Sequence, residues 1–532
     1  MKLSYDGVFE HRQEWEKAGF VLPAFSMEQV RKETAEHPVW VHFGAGNIFR
    51  AFQANVVQEL LNAGKMKTGL IAVEGYDYEI IDKMYQPHDN LGILATLKAD
   101  GNVDKTVVGS IMEALTLDSD NTQNMTRLSQ IFTNPSLQMA SFTITEKGYS
   151  LVDGKGSILP AAAQDMEQGT ERPGKVAALL YARYQAGALP IAMVSMDNCS
   201  HNGDKLYQAI HAFAQGWEQR GLVEKGFLAY VEDAHKVSFP WSMIDKITPR
   251  PDASVEDMLR MAGVENLEPV ITGKNTYVAP FVNAEECQYL VIEDNFPNGR
   301  PALEEGGVIF TARETVDRVE KMKVCTCLNP LHTALAVFGC LLGYTLISKE
   351  MDNPVLKKLV EVIGYEEGLP VVVNPGVIDP KKFIDEVVNI RIPNPFMPDT
   401  PQRIATDTSQ KLGIRFGETI KAYQRSGELS VSSLKRIPLV FAGWLRYLCG
   451  IDDKGETFTL SADPMLDTVC PYVADLKFGD TQVHEKVAPI LSNEKIFGVN
   501  LYEAGLGELT EQYFVEMLAG KGAVEATLAK YV

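Results

Sequence analysis

Apolar positions along the first 220 residues switch repeatedly between a period of two and a period near 3.6. Pro38-Val39-Trp40-Val41-His42-Phe43 is a short β-rich run, and Gly44-Ala45-Gly46 follows it. From Asn47 to Leu61 the residues Phe52, Val56, Val57, Leu60 and Leu61 then recur on one side of a predicted helix. A second strand is predicted over 69–73, ending at Glu74, and further strands over 141–145 and 190–195. These alternate with helices over 176–186 and 203–214, and such alternation implies a parallel, doubly wound α/β sheet. Past Asn298-Gly299-Arg300-Pro301, which reads as a linker, the pattern turns helical. Candidate helices are 331–347, 354–364, 410–425, 432–449 and 508–529. The organisation expected is a polar, helix-prone N-terminal extension (1–37), a doubly wound domain (38–300) and a mainly α-helical C-terminal domain (301–532). No internal repeat is present.

Composition adds exclusions. A chain of 532 residues is too long for one core and carries ordinary proportions of hydrophobic (45%) and charged (23%) residues. Its net charge of −20 argues against a nucleic-acid partner, because a polyanion demands a basic footprint. The first twenty residues lack an apolar signal core. The longest apolar stretch, 437–449, is too short to span a bilayer and contains Arg446, so a buried helix is expected and no membrane partner. Seven scattered cysteines suggest reduced thiols and a cytoplasmic location. Cys325 and Cys327 have no second pair at zinc-site spacing, so no metal is expected.

The turn at Gly44-Ala45-Gly46 suits a dinucleotide. Two glycines between strand and helix let the backbone approach a pyrophosphate, which then rests on the amides beginning at Asn47. Phe49 stands where a third glycine is usual, and Arg50 is a candidate charge contact to phosphate. Glu74 lies where an acid binds the ribose hydroxyls of NAD and repels the extra phosphate of NADP. A plain tight turn with a solvated strand end is the structural alternative. His42 reads as a satisfied core histidine.

Four polar clusters are candidates for chemistry. Ser195-Met196-Asp197-Asn198 follows a predicted strand, where ligands of doubly wound sheets bind, although Asp and Asn there also cap helices. Asp245 sits in an otherwise apolar run and either binds hydroxyls or pairs with Lys246 or Arg250. Asn329-Pro330-Leu331-His332 opens a helix, with Asn329 the expected N-cap; a histidine in a first turn is favoured in its neutral form. Lys323 lies just upstream, and a buried lysine can serve as a base near neutral pH. Arg403 to Lys411, read as one helix, rises about 12 Å and returns near its starting face with Asp407 midway, which equally describes a surface ion-pair ladder.

Together these segments resemble the polyol-specific long-chain dehydrogenases and reductases. The resemblance is carried by HFGAGNIFRAF (42–52), TITEKGY (143–149), SMDNCSHNG (195–203), MIDKITP (243–249), VIEDNFPNGRP (291–301), NPLH (329–332) and RIATDTSQK (403–411). It implies a Rossmann-type domain followed by a helical domain, and NAD-linked, metal-free oxidation with lysine as general base. By the same resemblance Lys323 takes the hydroxyl proton and Asn198 and Asn329 stabilise the oxyanion. His332 orients the hydroxyl, while Asp245, Arg403 and Lys411 hold the rest of the substrate. The family's lysine lies five residues before the asparagine, where this chain has Val324. Lys323 is one residue further away, so a one-residue bulge is implied, with Lys321 as the fallback.

The substrate implied is a small polyol or sugar acid, with D-fructuronate and D-mannonate favoured. D-mannitol oxidation and tagaturonate reduction are alternatives within the family, and a non-catalytic dinucleotide-binding redox sensor is one outside it. A monomer or small homo-oligomer is expected.

Overall fold

The computed structural model describes residues 1–169 and 175–532. It divides into two compact units, Met1–Leu97 with Asn102–Asp317, and Lys98–Gly101 with Arg318–Val532.

The first unit is organised by six parallel strands: β1 (Trp40–Phe43), β2 (Leu70–Glu74), β3 (Ile111–Thr116), β4 (Met139–Phe142), β5 (Ile191–Ser195) and β6 (Val237–Ser238). Their order in the sheet is 3-2-1-4-5-6, the arrangement of a Rossmann fold, so the expected doubly wound architecture is what the chain adopts. The alternation of side chains explains the core. Val41, Phe43, Ile71, Val73, Ala140, Phe142, Ile191 and Met193 share one face and pack against Leu128, Phe132, Leu180, Phe213 and Trp217 from the surrounding helices. The opposite face carries His42 and Ser141.

The N-terminal segment is folded into this unit. Helices Tyr5–Phe9, Arg12–Lys17 and Met27–Glu36 flank a short strand, Phe20–Val21, that pairs in parallel with Val103–Val108. Trp15 is fully buried and its indole N–H donates to the Gly7 carbonyl at 3.0 Å. At the other end, Ile309–Thr311 pairs in parallel with Tyr289–Glu293, so residues 301–317 pack with the sheet-bearing unit.

The second unit is helical. Its centre is formed by Asn329–Leu342, Arg436–Leu448 and Gly507–Met517, and the 437–449 stretch is a buried helix as expected. Glu367 caps that helix, its carboxylate accepting the backbone N–H groups of Lys435, Arg436 and Ile437 at 2.7, 2.7 and 2.9 Å. Two helical expectations need correcting. The 508–529 stretch is two helices, because Gly520 and Gly522 adopt positive φ between them. Residues 403–411 are not one helix either. Pro401–Ile404 ends, Asp407 takes φ of 55°, and Thr408–Gln410 is a short 3₁₀ turn, so the ladder spacing of a helix does not apply.

The described stretch long and apolar enough to cross a membrane, Arg313–Leu342, is mostly buried within the protein. All seven cysteines are free thiols.

Candidate active site

In the first unit the glycine turn is shaped by close approach. Gly44 has φ of 110°, and a Cβ there meets the Thr143 carbonyl oxygen at 2.1 Å, so only glycine fits between β1 and the end of β4. Gly46 differs: a Cβ on it meets nothing within 4 Å. The backbone there faces open space at the start of a helix running 47–62, and Asn47 is its first residue. That combination fits a pyrophosphate.

The turn is braced on both sides. Glu74, 7% exposed, accepts the N–H of Ala45 at 3.0 Å and those of Tyr76 and Asp77 at 2.8 and 3.1 Å. The Tyr85 hydroxyl donates to the Ala45 carbonyl at 2.9 Å. His42 is the satisfied core residue expected. It lies fully buried with its ring nitrogens 2.6 Å from Ser141 Oγ and 2.8 Å from Thr143 Oγ1, stacked on Phe49, and burial pushes its pKa down to about 3.

Arg50 is a correction. Its guanidinium is buried and donates to the Ala279 carbonyl at 2.8 Å, beside Tyr85 and Gly92, and burial lowers its pKa. The helix turns position 50 toward the interior of the unit, so the charge is spent on protein and is withdrawn from the phosphate role expected for it.

Beyond β5, Asp197 reaches back to the segment that follows β4. Its carboxylate accepts the N–H groups of Ile144 and Thr145, both at 2.9 Å, and the Tyr149 hydroxyl at 2.5 Å. Burial raises its pKa while those bonds lower it. Thr145 has φ of 63°, a conformation a β-branched residue adopts only when its surroundings impose it, and the Asp197 bonds are the imposing contacts. The TITEKGY and SMDN segments are thereby one structural piece. Asn198 itself is exposed. Asn202 bonds the Ser242 backbone and hydroxyl, and Ser242 Oγ donates to the Ser195 carbonyl at 2.6 Å, which ties the Asp245 strand to the end of β5. Asp245 is 8% exposed on that strand, and Lys246 donates to the Glu285 carbonyl and to Gln288.

In the second unit Lys323 is 3% exposed and begins a π turn, Lys323–Cys327, closed by the Leu328 N–H on the Lys323 carbonyl at 3.1 Å. A π turn holds one residue more than an α turn, and here it supplies the one-residue bulge implied by the lysine's spacing. Lys321 is exposed. Asn329 is the first residue of the next helix, with Leu328 in the cap position, so its side chain is not a cap. Among the described residues its carboxamide makes no hydrogen bond, while its carbonyl accepts from Thr333 Oγ1 at 2.9 Å. His332 is half-buried, one turn along.

The cations downstream divide. Arg403 is exposed and pairs with Asp399. Lys411 donates to the carbonyls of Ile404 and Thr406, and burial together with the charge of Arg415 lowers its pKa. Arg415 escaped the sequence reading. It lies in a second π turn, Gly413–Gly417, that packs on the Lys323 turn, and it donates to Thr333 Oγ1 at 2.5 Å. The only signal for it was its position four residues after Lys411.

Comparison with known proteins follows the same division. Residues 39–305 match the mannitol dehydrogenase Rossmann domain, and residues 315–516 match the mannitol dehydrogenase C-terminal domain. A D-mannonate oxidoreductase of Thermotoga maritima is 54% identical over all of this chain and 99% of its own length. The D-mannonate oxidoreductase of Escherichia coli is 27% identical, covering 92% of this chain and 95% of its own. Among solved structures, the Pseudomonas fluorescens mannitol 2-dehydrogenase complex with NAD and D-mannitol has a TM-score of 0.67 at 25% identity, covering 100% of this chain and 99% of that one.

Proposed function

The chain belongs to the mannitol dehydrogenase family, and from that premise we propose that it is an NAD-dependent D-mannonate oxidoreductase interconverting D-fructuronate and D-mannonate. The observation that carries this reading is the 54% identity, end to end, with the Thermotoga maritima D-mannonate oxidoreductase. The relatives named mannitol 2-dehydrogenase are less similar, at 25%, 28% and 29% identity.

The nucleotide is assigned to the first unit. Gly44 and Gly46 open the backbone to the pyrophosphate, the amides from Asn47 onward face it, and Glu74 is the acid for the ribose hydroxyls. NAD, when bound, accepts the hydride that leaves the carbinol carbon. Lys323 takes the hydroxyl proton in oxidation and returns it in reduction; its burial at the head of the π turn supports that role. The carboxamide of Asn329 donates to the oxygen as negative charge builds on it, and Asn329 has no competing partner among the described residues. His332 orients the hydroxyl. Within the second unit Lys411 and Arg403 hold the remaining substrate oxygens, Arg403 being the more exposed of them. No residue is assigned to a metal. Seven free thiols and a nicotinamide-linked sugar-acid chemistry support a cytoplasmic location.

The test is a substrate panel. Purified protein is assayed with NADH and NADPH against D-fructuronate, D-tagaturonate and D-fructose. D-fructuronate with NADH should give the highest kcat/KM. A preference for D-tagaturonate or D-fructose reassigns the enzyme within its family, and no turnover of any of them overturns the reading.

A further inference from the structure

We propose that Arg415 is the residue that binds the substrate carboxylate and so selects a sugar acid over the neutral sugar of the same length. The proposal rests on the D-mannonate oxidoreductase reading above.

The residues proposed for the proton chemistry say nothing about how the far end of the substrate is recognised. A carboxylate needs a cation that is partly desolvated, geometrically fixed and not already neutralised by protein. Arg415 meets all three conditions. Its Nη1 donates to Thr333 Oγ1 at 2.5 Å, and Thr333 follows His332 directly, so the guanidinium is fixed beside the first turn of the Asn329–Leu342 helix. Its own turn, Gly413–Gly417, packs against the Lys323–Cys327 turn. It is half-buried, and among the described residues it makes no ion pair.

The shortage of protein partners separates Arg415 from four other arginines that face inward. Arg300 is paired with Asp294 and Glu304, and Arg127 with Glu113. Arg183 is surrounded by the carbonyls of Phe132, Asn134, Leu137, Leu189 and Pro190, and Arg446 by those of Ile451, Asp452 and Met517. Arg415 has one neutral hydroxyl. A guanidinium carries five N–H donors in a planar fork, so most of its donors remain for a bidentate partner.

A second cation stands close to it as well. Lys411, whose carbonyl accepts the Arg415 N–H at 2.9 Å, is a second cation close enough for each charge to disfavour the other. Burial pushes the pKa of Arg415 down to about 10, with no acid offsetting it. A bound carboxylate relieves both penalties. Arg403, by contrast, is exposed and already paired with Asp399.

The experiment uses the full-length enzyme and the variant Arg415→Gln. KM for D-fructuronate and the inhibition constant of D-mannonate should both rise by about 100-fold, the usual loss when one member of a desolvated charge pair is truncated. KM for NADH and the melting temperature should stay near wild type. Arg415→Lys keeps the charge and loses the fork, and should show a smaller rise in the same two constants. If Arg415→Gln does not fold, a rise confined to those constants in Arg415→Lys supports the proposal. Unchanged constants, or equal losses for NADH and D-fructuronate in the folded variant, overturn it. Wild-type protein inactive on D-fructuronate overturns the functional reading itself, which is a separate result.

Discussion

The carboxylate of Glu74 accepts the backbone N–H of Ala45 at 3.0 Å, which ties the acid at the end of β2 to the middle of the glycine turn after β1. The same carboxylate holds Tyr76 and Asp77, so one side chain fixes both loops that a dinucleotide has to touch. Replacing it with alanine leaves three buried or half-buried amides without acceptors. Glu74→Ala should lower stability by about 2–3 kcal/mol. It should also raise KM for NADH and narrow the gap between NADH and NADPH. Thermal denaturation with steady-state kinetics on both nucleotides checks this; an intact preference for NADH would remove Glu74 from the ribose role.

Lys323 and Lys321 separate cleanly. Lys323→Ala should reduce kcat by about 10²–10⁴-fold, the range for losing a general acid–base group. Lys321→Ala, at an exposed position, should stay within a few-fold of wild type. The kcat–pH profile of the two variants decides between them, and near-wild-type turnover in Lys323→Ala rules it out as the base.

Glu350 gives the fold an alkaline weakness. It is completely buried against Gly339, neither carboxyl oxygen has a hydrogen-bond partner among the described residues, and burial raises its pKa to about 9. In the unfolded chain the group ionises near its ordinary value of 4.5, whereas folded it keeps its proton to about pH 9. Unfolding therefore releases a proton between those limits, so stability is full below the lower one and is lost progressively as pH rises to the higher. Unfolding free energies from urea titrations should be lower at pH 9 than at pH 6 by roughly 2–4 kcal/mol, and Glu350→Gln should flatten the difference.

His42 acts in the opposite direction. Its pKa is held near 3 by burial, against 6.5 ordinarily. The unfolded state takes up a proton as pH falls through 6.5 and the folded state does not, so stability is present above 6.5 and declines toward pH 3. Exchange of the imidazole for the neutral amide in His42→Gln should reduce the acid slope of the unfolding midpoint, at some cost in packing on Phe49.

Most of the fold was legible because it is written in local period. β1, β2 and β5 fall within about two residues of the runs that predicted them, β4 is displaced toward the N-terminus of its run, and the helix after the glycine turn begins where it should. The order 3-2-1-4-5-6 is a consequence of pairing at a distance, and no local pattern encodes it. The site was less legible, for reasons that differ by residue. Arg50 was misjudged because a helix start says nothing about which way the next turn faces. The break at Asp407 depends on a left-handed backbone that Asp tolerates but does not demand. Asp197 looked like a helix cap, and its actual partners, Ile144 and Thr145, lie more than fifty positions away. Arg415 is assigned through Thr333, 82 residues earlier, so nothing beside it in the chain marks it.

The wide turn at Lys323–Cys327 sits against a second wide turn at Gly413–Gly417. Each accommodates one residue that an α-helix of the same length has no room for, and the two pack against each other. Shortening either segment by a single position rotates everything on one side of it by about 100° relative to the other. Chemical identity at Val324, Cys325 or Ile414 is therefore negotiable in a way that the count of residues is not: this part of the chain is constrained as a ruler before it is constrained as a set of side chains.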